Sequence, residues 1–217
     1  YLKKKGVKKL VGTVEIENTA SIKSMGKNLF RFLSQKFCHY SGTVPPAPST
    51  KTNGIIIRNF QPRDQDTLFQ IYNRCASEDW NKFLEINEKD FLDRFIGKIY
   101  GKGPSKILIA KRIVVAEENE KVVGYAIITR RRFLQKIPNT ATLFLFLPPQ
   151  ISYEVGASFI NEILSELAIE GVKTILVYSH AQDKDTIKQI LIDLNIAPTT
   201  LMVPIVEFDN VPNVSDV

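Results

Sequence analysis

Residues 55–208 of this 217-residue chain are predicted to form one α/β domain, a mixed central sheet flanked by helices. Three observations predict it. Short branched or apolar runs alternate with segments whose apolar residues recur at helical spacing. The hydrophobic and charged contents, 44% and 24%, belong to a chain able to bury a core. A stretch rich in Pro, Ser, Thr and Gly, residues 45–54, sets this region apart from a short basic one before it.

The elements follow in order. Ile55-Ile56-Ile57-Arg58-Asn59-Phe60 is a β-rich run, and Gln61-Pro62-Arg63-Asp64 is a turn leading into a helix. Leu68, Ile71 and Tyr72 then share one face of that helix. A second helix is expected over residues 88–100, with Phe91, Leu92, Phe95, Ile96 and Ile99 on one face and Gly101, Gly103 and Pro104 as its stop. Residues 106–116 and 121–129 read as a strand hairpin around the polar Glu118-Asn119-Glu120. Residues 140–147 are nearly all apolar, as a central strand requires. Residues 155–169 are amphipathic, with Phe159, Ile160, Ile163, Leu164 and Leu167 inward and Glu162 and Glu166 outward. A buried strand over 172–178, a helix over 185–194 and a strand over 201–208 complete the domain.

No apolar run is long enough to span a bilayer, and the basic N-terminal residues lack the apolar stretch of a signal peptide. Two cysteines, Cys38 and Cys75, allow at most one bridge and form no metal-type pair. The expectation is a cytosolic protein without a metal site. The net charge of +6 is uneven: residues 1–54 hold ten Lys and Arg against two acids. Such a segment is either a solvated basic face or an arm for nucleic acid, a ribosome or an acidic protein. No aromatic residue interleaves the lysines of residues 3–9, which disfavours stacking on single strands.

The basic segment also repeats the end of the long one. Gly6-Val7-Lys8 lies on Gly171-Val172-Lys173 at an offset of 165. At that offset Asn18 meets Asp183, Ser21 meets Thr186, Ile22-Lys23 meets Ile187-Lys188, and Leu29 meets Leu194. Each copy reads as helix end, strand, polar loop, helix, and residues 31–44 would be closing strands.

The order strand, helix, helix, hairpin, central strand, helix, strand, helix, strand resembles the GNAT superfamily of acyl-CoA-dependent N-acyltransferases. The stretch from Val14 to Phe30, with Asn18 after a strand and Ser21 three residues on, resembles the late segment of that family. The resemblance implies a tandem arrangement: residues 1–44 as the C-terminal portion of a first GNAT-like domain, 45–54 as linker, and 55–217 as a complete GNAT-like domain. It implies acetyl-CoA or a related acyl-CoA as donor and an amine as acceptor. A homodimer is compatible with it, and membrane partners are not expected.

The resemblance also nominates residues. Asn18 would cap its helix and, with Ser21, contact CoA. In the complete domain, Leu145, Phe146 and Leu147 would lie along the thioester, while Gln150, Ser152, Gly156 and Ala157 would lie at the pyrophosphate, before and within a helix N-terminus. Ile151 stands where the family carries Arg or Gln, and Glu154 where it carries Gly. The family's proton-donating Tyr falls on Ile190, or on Met25 in the first copy, and neither can give a proton. His180 and Tyr178 are the substitutes, His180 for its ordinary pKa near neutrality. The expectation is an N-acetyltransferase-like protein whose complete domain is catalytically degenerate, with a non-catalytic basic interaction module as the rival.

Overall fold

An apolar run such as residues 140–147 must be covered on both faces, and the rest of the chain is arranged around it. The computed structural model describes residues 9–27, 31–32, 36–45, 54–84, 87–91, 109–131, 139–181 and 185–208. In chain order they form β1 (Lys9–Glu15), α1 (Thr19–Lys27), β2 (Arg31–Phe32), β3 (Lys36–Thr43) and β4 (Ile55–Asn59). A 3-10 turn at Pro62–Asp64 leads into α2 (Gln65–Cys75), α3 (Glu78–Leu84) and α4 (Glu88–Phe91). There follow β5 (Ile109–Glu118), β6 (Lys121–Arg131), β7 (Thr140–Phe146), α5 (Tyr153–Ile169), β8 (Thr174–Ala181), α6 (Asp185–Asp193) and β9 (Ile196–Phe208). The expected second helix is described only over α4; its remainder lies outside the described residues.

The strands make one sheet in the order β1-β9-β3-β8-β7-β6-β5-β4, with β2 also pairing β9. β7 and β8 run parallel, and the other described pairings are antiparallel. The sheet alternates cleanly. Leu143 and Leu145 face α5, where they meet Phe159, Ile163 and Leu167. Phe146, Tyr125 and Ile127 point the other way and are covered by Leu68, Ile71 and Tyr72 of α2 and by Phe91. The β5–β6 hairpin turns on Asn119 and Glu120, at φ 49° and 61°, the two left-handed residues that a two-residue loop needs to match strand twist. No helix among the described residues is long and apolar enough to cross a membrane.

β3 does not stay with the basic segment: it is inserted between β8 and β9. The offset of 165 explains the insertion. It carries β1 into β8, β3 into the second half of β9, and α1 onto α6 within one residue. It also carries one set of pairings onto another. Thr43 lies opposite Thr174, and the shifted pair, Phe208 opposite Lys9, is present as well. Phe37 and Met202 are equivalent under the shift and lie opposite each other. The two copies are therefore related by an approximate twofold axis through that pair. β3, from the basic segment, lies between β8 and β9 in the one sheet. The second half of β9 pairs with β1 along one edge and β2 along the other.

Gly42 shows how closely the exchanged strand fits. A Cβ there would come 2.9 Å from Asn195 O and 3.0 Å from Ile196 Cα, both backbone atoms that cannot swing away. Gly42→Ala should therefore lower stability by about 1–3 kcal/mol, the usual cost of overpacking. Urea unfolding measures it; a loss below about 0.5 kcal/mol, an ordinary surface effect, would refute so close an approach.

Candidate functional site

β7 and β8 pair in parallel from Thr140 opposite Thr174 to Leu145 opposite Ser179. Their pairing stops there, although β7 continues to Phe146 and β8 to Ala181. β8 stays paired with β3 along its other edge throughout, as far as Ala181 opposite Lys36. The two strands thus part at their C-terminal ends. Backbone N–H and C=O groups at such a parting have lost their ladder partner and can accept an extended ligand between the strands.

The chain leaves β7 through Leu147-Pro148-Pro149, where two fixed φ angles and two missing N–H groups end the strand. Ile151 N–H closes this turn onto Pro148 O at 3.0 Å. Ser152 then caps α5, its Oγ accepting Val155 N–H at 3.2 Å and its carbonyl accepting Gly156 N–H at 3.0 Å. A positive helix end therefore follows the parting strands by a short loop. Glu154, exposed in the first turn, adds a negative charge that favours the helix but opposes an anionic ligand.

Comparison with solved structures decides the fold. A functionally unknown conserved protein from Staphylococcus epidermidis ATCC 12228 superposes with a TM-score of 0.61 at 11% identity, over 96% of this chain and 75% of that one. A GCN5-related N-acetyltransferase from Sphaerobacter thermophilus gives 0.55 at 14% identity, over 92% of this chain and 59% of that one. This chain has the GNAT fold. Saccharomyces cerevisiae N-myristoyltransferase, solved with bound myristoyl-CoA and inhibitors, gives 0.53 at 12% identity, over 96% of this chain and 53% of that one. At these identities the likeness is one of fold. No family model and no curated protein matches the chain.

Within the GNAT fold, the residues nominated from sequence fall in two places. Leu145, Phe146, Leu147, Gln150, Ser152, Gly156 and Ala157 cluster at the parting and the start of α5. Asn18 and Ser21 follow β1, which β9, β3 and β8 separate from β7. There Asn18 Oδ1 accepts Ser21 N–H at 3.1 Å, a helix cap. In the first place most side chains turn inward. Leu145 and Leu147 lie in the core beneath α5, and Phe146 stacks on Tyr125 across the sheet, centroids 4.5 Å apart. Gly156 is buried, and a Cβ there would meet Ile190 Cδ1 at 2.8 Å, so this glycine lets α5 lie close to α6. Ala157 is half-buried against the same core. Gln150 and Ser152 are exposed.

Tyr178 is the middle ring of a stack, 5.1 Å from Phe144 and 4.5 Å from His39. His180 has its backbone at the parting, opposite Phe37, while its side chain lies outside the described structure. Ile190 is fully buried, in keeping with a side chain that cannot move protons. Burial pushes the Cys75 thiol up to about 12, which leaves it inert at neutral pH. Glu118 ends β5 at the turn as expected. Glu117, by contrast, is not solvated but held by Arg58, with Nε 2.8 Å from Oε2. A cleft of about 750 Å3 lies beside this ion pair, walled by Arg74 and Lys121, and no nominated residue lines it.

Sequence reasoning missed His39 and Tyr125. Both are ordinary in their strands; what distinguishes them is a non-local neighbourhood. His39 acquires its neighbours only because β3 crosses to β8. It also touches Thr199, the extra residue of a bulge where His39 opposes Thr200 and Tyr40 opposes Pro198.

Proposed function

We propose that this chain is an acyl-CoA-dependent N-acyltransferase, with acetyl-CoA as donor and an amine as acceptor. The parting of β7 and β8 beside the Ser152-capped end of α5 carries this reading. The extended arm of an acyl-CoA would run past the last β7–β8 rung at Leu145 and along the freed edge at Phe146 and Leu147, these residues contributing backbone. A backbone N–H there would polarise the thioester carbonyl. The pyrophosphate would meet Gln150, Ser152 and the helix end containing Gly156 and Ala157. Residues 1–44 would be the C-terminal portion of a first GNAT-like unit, 45–54 the linker and 55–217 the second unit. The offset of 165, which relates both strands and pairings, supports that division. Asn18 and Ser21 would then serve the first unit's own CoA site.

Glu154 limits how tightly the second unit can hold phosphate. Acetyl-CoA at about a hundred times its Kd should stabilise the protein by about 2.7 kcal/mol. For a chain of this size that raises Tm by about 5–10 °C. Glu154→Gln should reach the same shift at lower ligand concentration. If millimolar acetyl-CoA shifts neither protein, the acyltransferase reading fails.

A further inference from the structure

The sheet face opposite α5 carries two buried polar atoms with no hydrogen-bond partner among the described residues, Tyr125 Oη on β6 and His39 Nε2 on β3. β6 and β3 are the strands that flank the β7–β8 pair. Buried polar atoms are nearly always satisfied, and an orphan calls for an explanation such as a catalytic role or a bound water.

His39 is the better placed of the two. It lies opposite Tyr178, which pairs with Phe144 one residue before the last rung of β7–β8, at Leu145 and Ser179. The rings of Phe144, Tyr178 and His39 stack face to face in a row, each pair inclined by 17°, so that the stack holds the imidazole one strand over from the end of the β7–β8 ladder. Thr199 orients the imidazole. Its Oγ1 is 3.0 Å from His39 O and 3.1 Å from His39 Nδ1. A carbonyl oxygen only accepts, so the hydroxyl proton goes to it, and Oγ1 in turn accepts from Nδ1–H. That assignment leaves the lone pair on Nε2.

We propose that His39 Nε2 takes the proton of the amine substrate, delivered to this site by a strand from the far side of the linker. The proposal rests on the acyltransferase reading above. Burial holds the imidazole below the usual histidine range, against a smaller opposing pull from Glu15, so it is a neutral base at physiological pH. In the reaction the amine nitrogen bonds to the thioester carbonyl carbon and its proton passes to Nε2. The carbon–sulfur bond breaks, and the imidazolium gives the same proton to the departing thiolate. Acyl-CoA and amine thus become amide and CoA thiol, with no further reactant. The half-buried edges of the Phe144 and Tyr178 rings suit an amine carried on an apolar body.

The test measures thiol release from acetyl-CoA with 2-phenylethylamine as acceptor, alongside acetyl-CoA binding by thermal shift. His39→Gln should lower kcat about 10²–10⁴-fold, the usual contribution of a general base, while the thermal shift stays as in the wild type. His39→Ala should regain turnover with free imidazole, a rescue that a purely structural side chain would not show. Wild-type rate in His39→Gln, or loss without imidazole rescue in a folded His39→Ala, overturns the role of His39 alone. Wild-type protein that binds acetyl-CoA but releases no thiol also overturns it. Wild-type protein that does not bind acetyl-CoA overturns the acyltransferase reading, and this proposal with it.

Discussion

Removing residues 1–53 is expected to abolish cooperative folding of residues 54–217, although those residues contain α2, α5, α6 and the central strand β7. β3 supplies the strand that joins β8 to β9. Without it, the whole of β9 loses its described partners, which are β1, β2 and β3. β8 becomes a bare edge, and Ile175 and Val177 lose Tyr40, which is only 3% exposed in the same core. An edge that long and apolar invites association. Circular dichroism during urea titration tests this. A single steep transition of near wild-type midpoint in the shortened chain would show that β3 is dispensable.

Arg58→Ala should be the most damaging single polar substitution. Arg58 donates to both carboxylate oxygens of Asp64, at 2.7 and 2.8 Å, and to Glu117 at 2.8 Å. Asp64 is 4% exposed and also accepts Gln61 N–H at 2.8 Å, which fixes the start of α2. Removing the guanidinium strands a buried carboxylate between β4 and α2. The cost should be about 3 kcal/mol, the lower end for a broken buried pair, because Arg58 keeps some contact with water. The pH dependence gives an independent check. Hydrogen bonding to Arg58 holds the Asp64 carboxyl below its ordinary value, although burial pulls the other way. The contribution is therefore complete above the ordinary aspartate pKa and is lost as pH falls through the lower folded value. In the wild type, stability should fall in that acidic window. In Arg58→Ala the fall attributable to Asp64 should vanish, and an unchanged acid limb would exclude Asp64 as its origin.

Local periodicity made most of the fold legible. α2, α5, the β5–β6 hairpin and β7 are written in side chains that contact their own or adjacent elements, so a window of a dozen residues contains their signal. β9 was legible only in its second half. Pro198 and the polar pair Thr199-Thr200 read as loop, yet they lie within a strand that bulges past β3. α3 was not recognised, for seven residues centred on Trp80 carry too little period to stand out. The site is less legible than the fold. Asn18 was found because a cap is a local bond, whereas Ser152 was nominated for its place in the phosphate loop and proves to cap α5 as well. The face toward which Leu145 and Leu147 turn, the bridge from Arg58 to Glu117 and the stack under His39 all depend on which strand lies beside which. The repeat at 165 residues bears on the last of these alone, since it relates β1 and β3 to β8 and β9 but not β4, β5 or β7 to anything.

The pairing of Lys9 with Phe208 also governs the order in which the molecule can be made. β1 and β3 leave the ribosome early, but β8 and β9 follow only after the long central segment. At synthesis rates of about 5–20 residues per second, the first strands wait several seconds with their edges open. The contacts that finish the sheet are also among the most distant in sequence, a property that slows folding. β1 is thus held in place by a strand nearly two hundred residues further on, and a ribosome stalled inside β9 would hold a chain whose β1 still lacks the partner described for it.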